Sequence, residues 1–424
     1  MAGGLIKLKL LPAGLVAILV ALLSACGGSN AGEGGQAISW FTFNEPSGAY
    51  QKAADRCSQQ SGGRYTIEIE PLPTDASQQR ELLVRRLGAG DSSIDLMGMD
   101  VIWTSEFANA GWIAEWTGDA AEQVTKNSFD SVIDSASFED TLYAAPFTSN
   151  TQLLWYRKDR VSKAPKTWND MIDEAERIGE GGQIGVQASF YEGFTVWVNS
   201  LVASAGGEIL SGPESVSLEE EPTSAALEVM GRLANSSAAQ PDIDTSNEDS
   251  VRLAFQSGDL SFMVNYPFIY PSAKAEAPEV FKQLEAAKWP TVAEGVASAP
   301  PLGGINVGVS AYSENQDLAF EAATCLVAPE NQITAAELGG LPPTDQTLYE
   351  NKALDKAYPG FADLIKQSID DAAPRPLTPA YTDVSLAIQR ALNPAGDIDA
   401  DDVSAKYDEL RQLVEDAVKR EGLL

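Results

Sequence analysis

The 424-residue chain contains no histidine. That removes Ser-His-Asp and Cys-His catalysis and the usual zinc sites, because each needs an imidazole as base or ligand. Neither a metal nor a cofactor is expected. Cysteine is scarce too, with three in the chain (Cys26, Cys57 and Cys325). Positive charge is thin: 29 Lys and Arg face 61 Asp and Glu, a formal net charge of −32. Such a surface repels nucleic acid and anionic lipid, so neither is expected as a partner. It places no constraint on a neutral ligand. Beyond the N-terminus no apolar run is long enough to span a bilayer. What remains is an ordinary globular composition, 44% hydrophobic and 21% charged, in a chain long enough for two domains.

The N-terminus has its own pattern. Lys7 and Lys9 precede the apolar run Leu10–Leu23, and Leu23-Ser24-Ala25 leads into Cys26. A basic start, a short apolar stretch and small residues at the cut read as an export signal over residues 1–25. A cysteine directly after the small residues is similar to a bacterial lipobox, in which that thiol is acylated. The alternative is an ordinary secreted protein with an incidental cysteine. Residues 26–36, rich in glycine, then read as a flexible tether to the outer face of the membrane. With Cys26 assigned to the lipid, Cys57 and Cys325 remain. In an exported protein they most simply pair with each other, the alternative being two unrelated buried thiols.

Along the mature chain, residues 38–43 (ISWFTF) alternate and predict a strand. A polar turn at Asn44–Gly48 opens a helix over 49–62, and a second strand follows at 65–72. Residues 77–87 predict a helix, 95–99 a short buried strand ending in Asp100, and 101–116 a further helix. Strand, helix, strand, helix, strand is a doubly wound α/β unit, whose ligands sit beyond the carboxyl ends of the strands. Those ends are Asn44-Glu45, Pro73–Gln79 and Asp100. Helix capping is the competing use, which Asp75, Ser77 and Thr104 could each provide. A second α/β lobe is predicted beyond residue 170.

The joining stretch, YAAPFTSNTQLLWYRKDRVSKAPKTWN at 143–169, is the most distinctive part of the chain. An extended crossover, then WYRKD, then PKTW before an amphipathic helix resembles the maltose-type (family 1) sugar-binding proteins of ABC importers. AFQSGDLSFMVNYPF at 254–268 resembles that family's internal signature, and ELGGLPPTDQTLY at 337–349 its turn before the last helices. Within the family the likeness runs to the actinobacterial trehalose-binding lipoproteins. It is carried by RCSQQSGGRYTI (56–67), MDVIWTSEFANAGW (99–112), LVASAGGEIL (201–210), VNYPF (264–268) and RPLTPAY (375–381).

The resemblance implies a two-lobed periplasmic-binding-protein-like fold (type II), each lobe a doubly wound sheet, joined by crossover hinge strands. It divides the chain into a first lobe over 37–147, a second over 148–264, a return to the first over 265–311, and a return to the second with C-terminal helices over 312–424. It implies a monomer outside the cytoplasm, lipid-anchored to the cell membrane, that closes on a disaccharide, most simply trehalose, and hands it to an ABC permease. A sugar offers hydroxyl edges and flat C–H faces, so its site needs fork-like polar groups in the plane and rings above or below. Asn44, Glu45, Gln79, Asp100, Asn150, Glu192 and Arg375, with Trp197, Tyr266, Phe268 and Gly304, are the expected set. For Trp197 and Phe268 core packing is the competing reading; for Arg375 it is a surface salt bridge. Two other functions compete: maltose or maltodextrin binding on the same fold, and an exported glycoside hydrolase using Glu45 and Asp100 as a carboxylate pair.

Overall fold

The computed structural model describes residues 35–419. The export signal, Cys26 and nearly all of the tether fall outside the described residues. Nine strands build the two main sheets: β1 Gln36–Phe43, β2 Tyr65–Leu72, β3 Leu96–Asp100, β4 Ala144–Asn150, β5 Leu153–Arg157, β6 Ile184–Gly185, β7 Phe262–Asn265, β8 Leu284–Ala287 and β9 Gly303–Val309.

The first sheet has the order β2-β1-β3-β9-β4. Strands β1, β2 and β3 run parallel, and β9 is antiparallel to both β3 and β4. Helices cover both faces, so the central strand β3 is buried along Leu96–Met99, as a parallel strand covered on both sides must be. On one face Trp40 of β1 stacks on Tyr50 of the helix Ala49–Gln60, with ring centroids 5.1 Å apart. The second sheet has the order β8-β5-β7-β6, with β5 antiparallel to β7 and β8. Its core holds Trp168, Trp197 and Trp289 together.

The chain crosses between the sheets at residues 151–152, which separate β4 from β5. It crosses back at 300–302 into β9, where Pro301 bridges Ala373. A third passage runs past β4, where Ser149 N–H donates to the Pro342 carbonyl at 2.9 Å. The domain boundaries differ from the sequence expectation in three places, the first a small one: β4 keeps the chain in the first lobe to Asn150 rather than 147. Residues 265–300 stay in the second lobe, because β8 pairs with β5 and the helix Ile269–Glu276 packs beside β7. The return to the first lobe starts at β9 and extends through the helices Gln316–Leu326 and Pro329–Gly339, whose Ala319, Ala323 and Ala335 bury against Ala53 and Ala54. The Cys57–Cys325 disulfide ties the first of these helices to Ala49–Gln60. The closing helix Ser404–Lys419 belongs to the second lobe, burying Leu410 and Val414 there. No described helix is long and apolar enough to cross a membrane.

Candidate functional site

Parallel strands deliver their carboxyl ends to one edge, and the first sheet does so with Phe43, Leu72 and Asp100. Because β9 is antiparallel to both neighbours, β4 runs with β3 and brings Asn150 to the same edge, opposite Gly303. The second sheet presents Leu153 and Asn265 as paired ends of β5 and β7. The edge thus collects residues from both sheets at the crossovers, the position at which an open α/β sheet binds ligands.

An ion triad fills this edge. Arg375 lies on the loop alongside the 300–302 crossover and is 5% exposed. Its Nη2 donates to Asp100 Oδ1 at 2.9 Å, and its Nη1 to Glu192 Oε1 at 2.7 Å. Asp100 ends a strand of the first sheet; Glu192 opens the second-lobe helix Glu192–Ser204. One guanidinium therefore joins both lobes, the fork geometry for which arginine is suited. Glu192 also accepts from the Tyr381 hydroxyl, and from Ser385 Oγ at 2.7 Å. Burial pushes the Glu192 carboxyl above the usual carboxylate range, against the pull of Arg375 and the two hydroxyl donors. Burial works against the charge on Arg375, but Asp100, Tyr381 and Glu192 together hold it protonated. Its Nε, though buried, has no partner among the described residues, and neither do Thr151 Oγ1 and Gln152 Oε1 on the adjacent crossover. Buried polar atoms without partners at a cleft are groups a ligand or water can satisfy.

Between the lobes lies a cavity of about 360 Å³. Its first-lobe wall carries Asp75, Ser77, Arg80 and Trp103; its second-lobe wall carries Phe190, Tyr191, Glu192, Tyr381, Ser385 and Gln389. Asp75 caps the helix Ala76–Gly88 by accepting from Gln78 N, which orients that wall. Phe190 is 53% exposed, unusual for a ring of its size. Tyr191 donates to Glu248 Oε2 at 2.8 Å, and Asn265 donates to the Glu248 carbonyl at 3.0 Å. Burial, then Asp249 and Asp75, push the Glu248 carboxyl up.

Of the residues expected from sequence, Asp100, Glu192 and Arg375 touch one another, and Tyr266 lies among them and Glu248. Asn150 stands at the same edge, its Oδ1 accepting from Thr151 N at 3.1 Å. Gln79 is buried on the first-lobe helix and donates to the Thr74 carbonyl at 3.3 Å. Asn44 is exposed at the end of β1. Glu45 is spent on capping, its two oxygens accepting from Ser47 N at 2.7 Å and Ala49 N at 2.9 Å. Trp197 is a correction: it is 1% exposed in the second-lobe core, between Trp168 and Phe194. Phe268 is half-buried and packs against the cluster around Ile269. Gly304 is a close-packing glycine at φ 139°, where a Cβ would meet the Thr148 carbonyl oxygen at 2.2 Å. Phe190, Tyr191, Tyr381 and Ser385 escaped sequence reasoning, although Tyr381 lies in the RPLTPAY segment and Phe190-Tyr191 directly precede Glu192.

Residues 42–333 match the family described as bacterial extracellular solute-binding protein. The chain belongs to that family. It is a binding protein rather than an enzyme, and the hydrolase alternative falls. A relative in Deinococcus radiodurans, named "Probable ABC transporter-binding protein", is 27% identical over 366 residues, covering 81% of this chain and 84% of that one. The diacetylchitobiose-binding protein DasA of Streptomyces coelicolor is 25% identical over 58% of this chain and 60% of its own length. Among solved structures, maltose-bound MalE3 of T. maritima superposes with a TM-score of 0.80 at 24% identity, covering 90% of this chain and 98% of that one. The GacH receptor of Streptomyces glaucescens gives 0.79 at 19% identity, covering 92% of this chain and 100% of that one. These likenesses establish the two-lobed binding-protein fold.

Proposed function

We propose that this protein is the extracytoplasmic sugar-binding subunit of an ABC importer, capturing a disaccharide between its lobes and delivering it to the permease. The observation that carries this reading is the Asp100–Arg375–Glu192 triad beside an interlobe cavity of about 360 Å³ walled by Trp103, Phe190, Tyr191 and Tyr381. Carboxylates accept from sugar hydroxyls, a guanidinium donates to them, and rings pack on the C–H faces. The volume lies near the small end of ligand pockets, which suits a short saccharide. The names of the Deinococcus and Streptomyces coelicolor relatives support the transport role and the saccharide class.

Trehalose is the disaccharide we favour, because the segments at 56–67, 99–112, 201–210, 264–268 and 375–381 resemble those of trehalose-binding lipoproteins. Maltose or a maltodextrin is the second reading, supported by the maltose-bound fold relative. Asp100, Glu192, Arg375, Asn150, Asn44 and Gln79 are assigned to the sugar in its plane, Tyr266 to its face, and acylated Cys26 to the membrane anchor. In this mechanism the lobes close about the crossovers, and the sugar favours the closed form because only there do both walls touch it. The permease reads the closed form of a monomer.

Calorimetric titration of the protein cut after its tether, with trehalose and then maltose, tests the assignment. Tight trehalose binding with weak maltose binding is expected. Preference for maltose would keep the fold and replace the ligand; binding of neither, with no thermal shift, would overturn the sugar reading.

A further inference from the structure

A second cavity of about 280 Å³ adjoins the cleft, with Arg80 and Thr382 in the walls of both. Each lobe supplies one side of it. Arg80, on the helix Ala76–Gly88, and Glu106, on Thr104–Asn109, stand on the first-lobe side. Asp383, in the opening turn of the helix Tyr381–Leu392, stands on the second. Glu106 grips Arg80 through Nε, at 2.7 Å, and Nη2, leaving Nη1 without a partner among the described residues. Asp383 donates its backbone N–H to the Ala380 carbonyl at 3.0 Å, but its carboxylate has no partner among the described residues. A cation and an anion, each with an open edge, thus face one gap from opposite lobes. The joined triad has the same parts with the lobes exchanged. There the second-lobe Glu192 holds the second-lobe Arg375, which reaches the first-lobe Asp100. Here a first-lobe carboxylate holds a first-lobe guanidinium, and Asp383 is the acceptor it lacks.

We propose that Arg80 and Asp383 form a closure latch, an ion pair that is open in this structure and forms when the lobes close on the sugar. The inference rests on the sugar reading of the cleft and goes beyond it, because Asp383 does not line the cleft and acts on affinity only through lobe position. Closure shrinks the gap and brings the carboxylate to Nη1. That nitrogen carries two N–H groups, so one turns to Asp383 while the other still faces the cleft. Arg80 is already fixed by two bonds to Glu106, so the latch costs little further side-chain freedom. The Arg80 and Glu106 side chains keep only 22% and 17% exposure, so the contact is partly shielded from water. Because the pair exists only in the closed state, it favours that state whatever neutral sugar lies inside, and it slows release rather than speeding capture. An electrostatic contact thereby governs the binding of an uncharged ligand.

Calorimetry and stopped-flow fluorescence with trehalose and with maltose test the latch through Asp383→Asn. Whichever sugar the wild-type protein binds should bind the variant about threefold more weakly, with the change in the off-rate. The sign is informative: if Asp383 only adds to the repulsion between two acidic lobes, neutralising it tightens binding. The ratio of the two affinities should shrink toward one between about 0.01 M and about 1 M salt, as the screening length falls from about 30 Å to about 3 Å. Asp383→Glu should restore most of the affinity. Once Arg80→Met has removed the partner, adding Asp383→Asn should change affinity by less than about twofold. Thermal unfolding of each variant separates loss of the latch from loss of fold, and the Arg80→Met background with Asp383→Glu keeps the test valid if Asp383→Asn alone fails to fold. Unchanged or tighter binding by Asp383→Asn, a loss that persists at high salt, or a loss that persists beside Arg80→Met overturns the latch and leaves the sugar reading standing. Binding of neither sugar by the wild-type protein overturns both.

Discussion

Replacing Arg375 with methionine removes the only cation that reaches Asp100 or Glu192 among the described residues. The two carboxylates are left facing each other across the lobe boundary. Breaking a buried pair from one side costs about 3–5 kcal/mol. The Asp100 and Glu192 side chains keep 22% and 13% exposure, and methionine refills most of the volume, so the lower end applies. A loss of about 3 kcal/mol lowers the melting temperature by roughly 6 °C or more for a cooperative unit the size of one lobe. The loss depends on pH with a defined sign. The Glu192 carboxyl already lies above its ordinary range because of burial, and removing Arg375 raises it further. An acid with a raised folded-state pKa binds more protons when native, so stability falls as pH climbs from the unfolded to the folded value. The variant's deficit is therefore full at neutral pH and narrows as pH falls toward the folded value. Tryptophan fluorescence melts at pH 7.5 and pH 5 read both effects, and adding Glu192→Gln to the variant should recover part of the loss. A deficit below about 1 kcal/mol, or one flat with pH, would mean that the triad is solvated and joins nothing.

The other expectations use the same assays. Cys57→Ser with Cys325→Ser opens a link between residues 268 apart and should cost about 3–5 kcal/mol in denaturant unfolding, with sugar affinity intact. Glu248→Gln removes a carboxyl whose raised pKa, caused first by burial and then by Asp249 and Asp75, opposes folding as pH rises above about 4.3. The variant should melt higher than wild type at pH 7.5 and lose that advantage near pH 4; a lower melt at pH 7.5 would refute the sign. Trp197→Ala should cost about 3–5 kcal/mol of stability as a core cavity. Phe190→Ala, at a ring 53% exposed, should leave the melt nearly unchanged and weaken sugar binding about tenfold. The opposite pattern in this pair would restore Trp197 to the site.

The first lobe was legible because its strands alternate or run apolar and its helices follow polar turns. β1, β2 and β3 fall within a few residues of where ISWFTF, the 65–72 run and Asp100 put them. The return of the chain was not legible. LEAA at 284–287 is too short and too plain to announce that it pairs with β5, and no local signal says which lobe a helix such as Gln316–Leu326 covers. The cysteines did hold that information: pairing Cys57 with Cys325 requires the second helix to sit on the first lobe. In the candidate site, the strand end expected at Asp100 is where β3 stops, and it lies against Arg375. The rings were harder. Phe194, Trp197, Val198 and Leu201 recur at helical spacing, which is the pattern of a buried stripe, whereas Phe190 precedes the helix and escapes it.

Charge explains why a neutral ligand fits a protein this acidic. Asp75, Glu192, Glu106 and Asp383 line the two cavities, with Asp100 behind them, and among the described residues Arg80 is the only basic one in either wall. Arg80 is held by Glu106, and Arg375 by Asp100 and Glu192. An anion entering the cleft would meet no uncommitted cation and several carboxylates, so it would have to break an existing pair. A free cation would find Glu106, Glu192 and Asp100 already shared with an arginine and Asp75 with the Gln78 amide, which leaves Asp383 as the uncommitted carboxylate of the set among the described residues. A polyol has neither difficulty: its hydroxyls donate to the carboxylates and accept from the spare guanidinium edges, and the ion pairs stay intact. The buried Arg375 Nε and the spare Arg80 Nη1 are donors without acceptors, which makes the uncharged hydroxyl the group that completes the set.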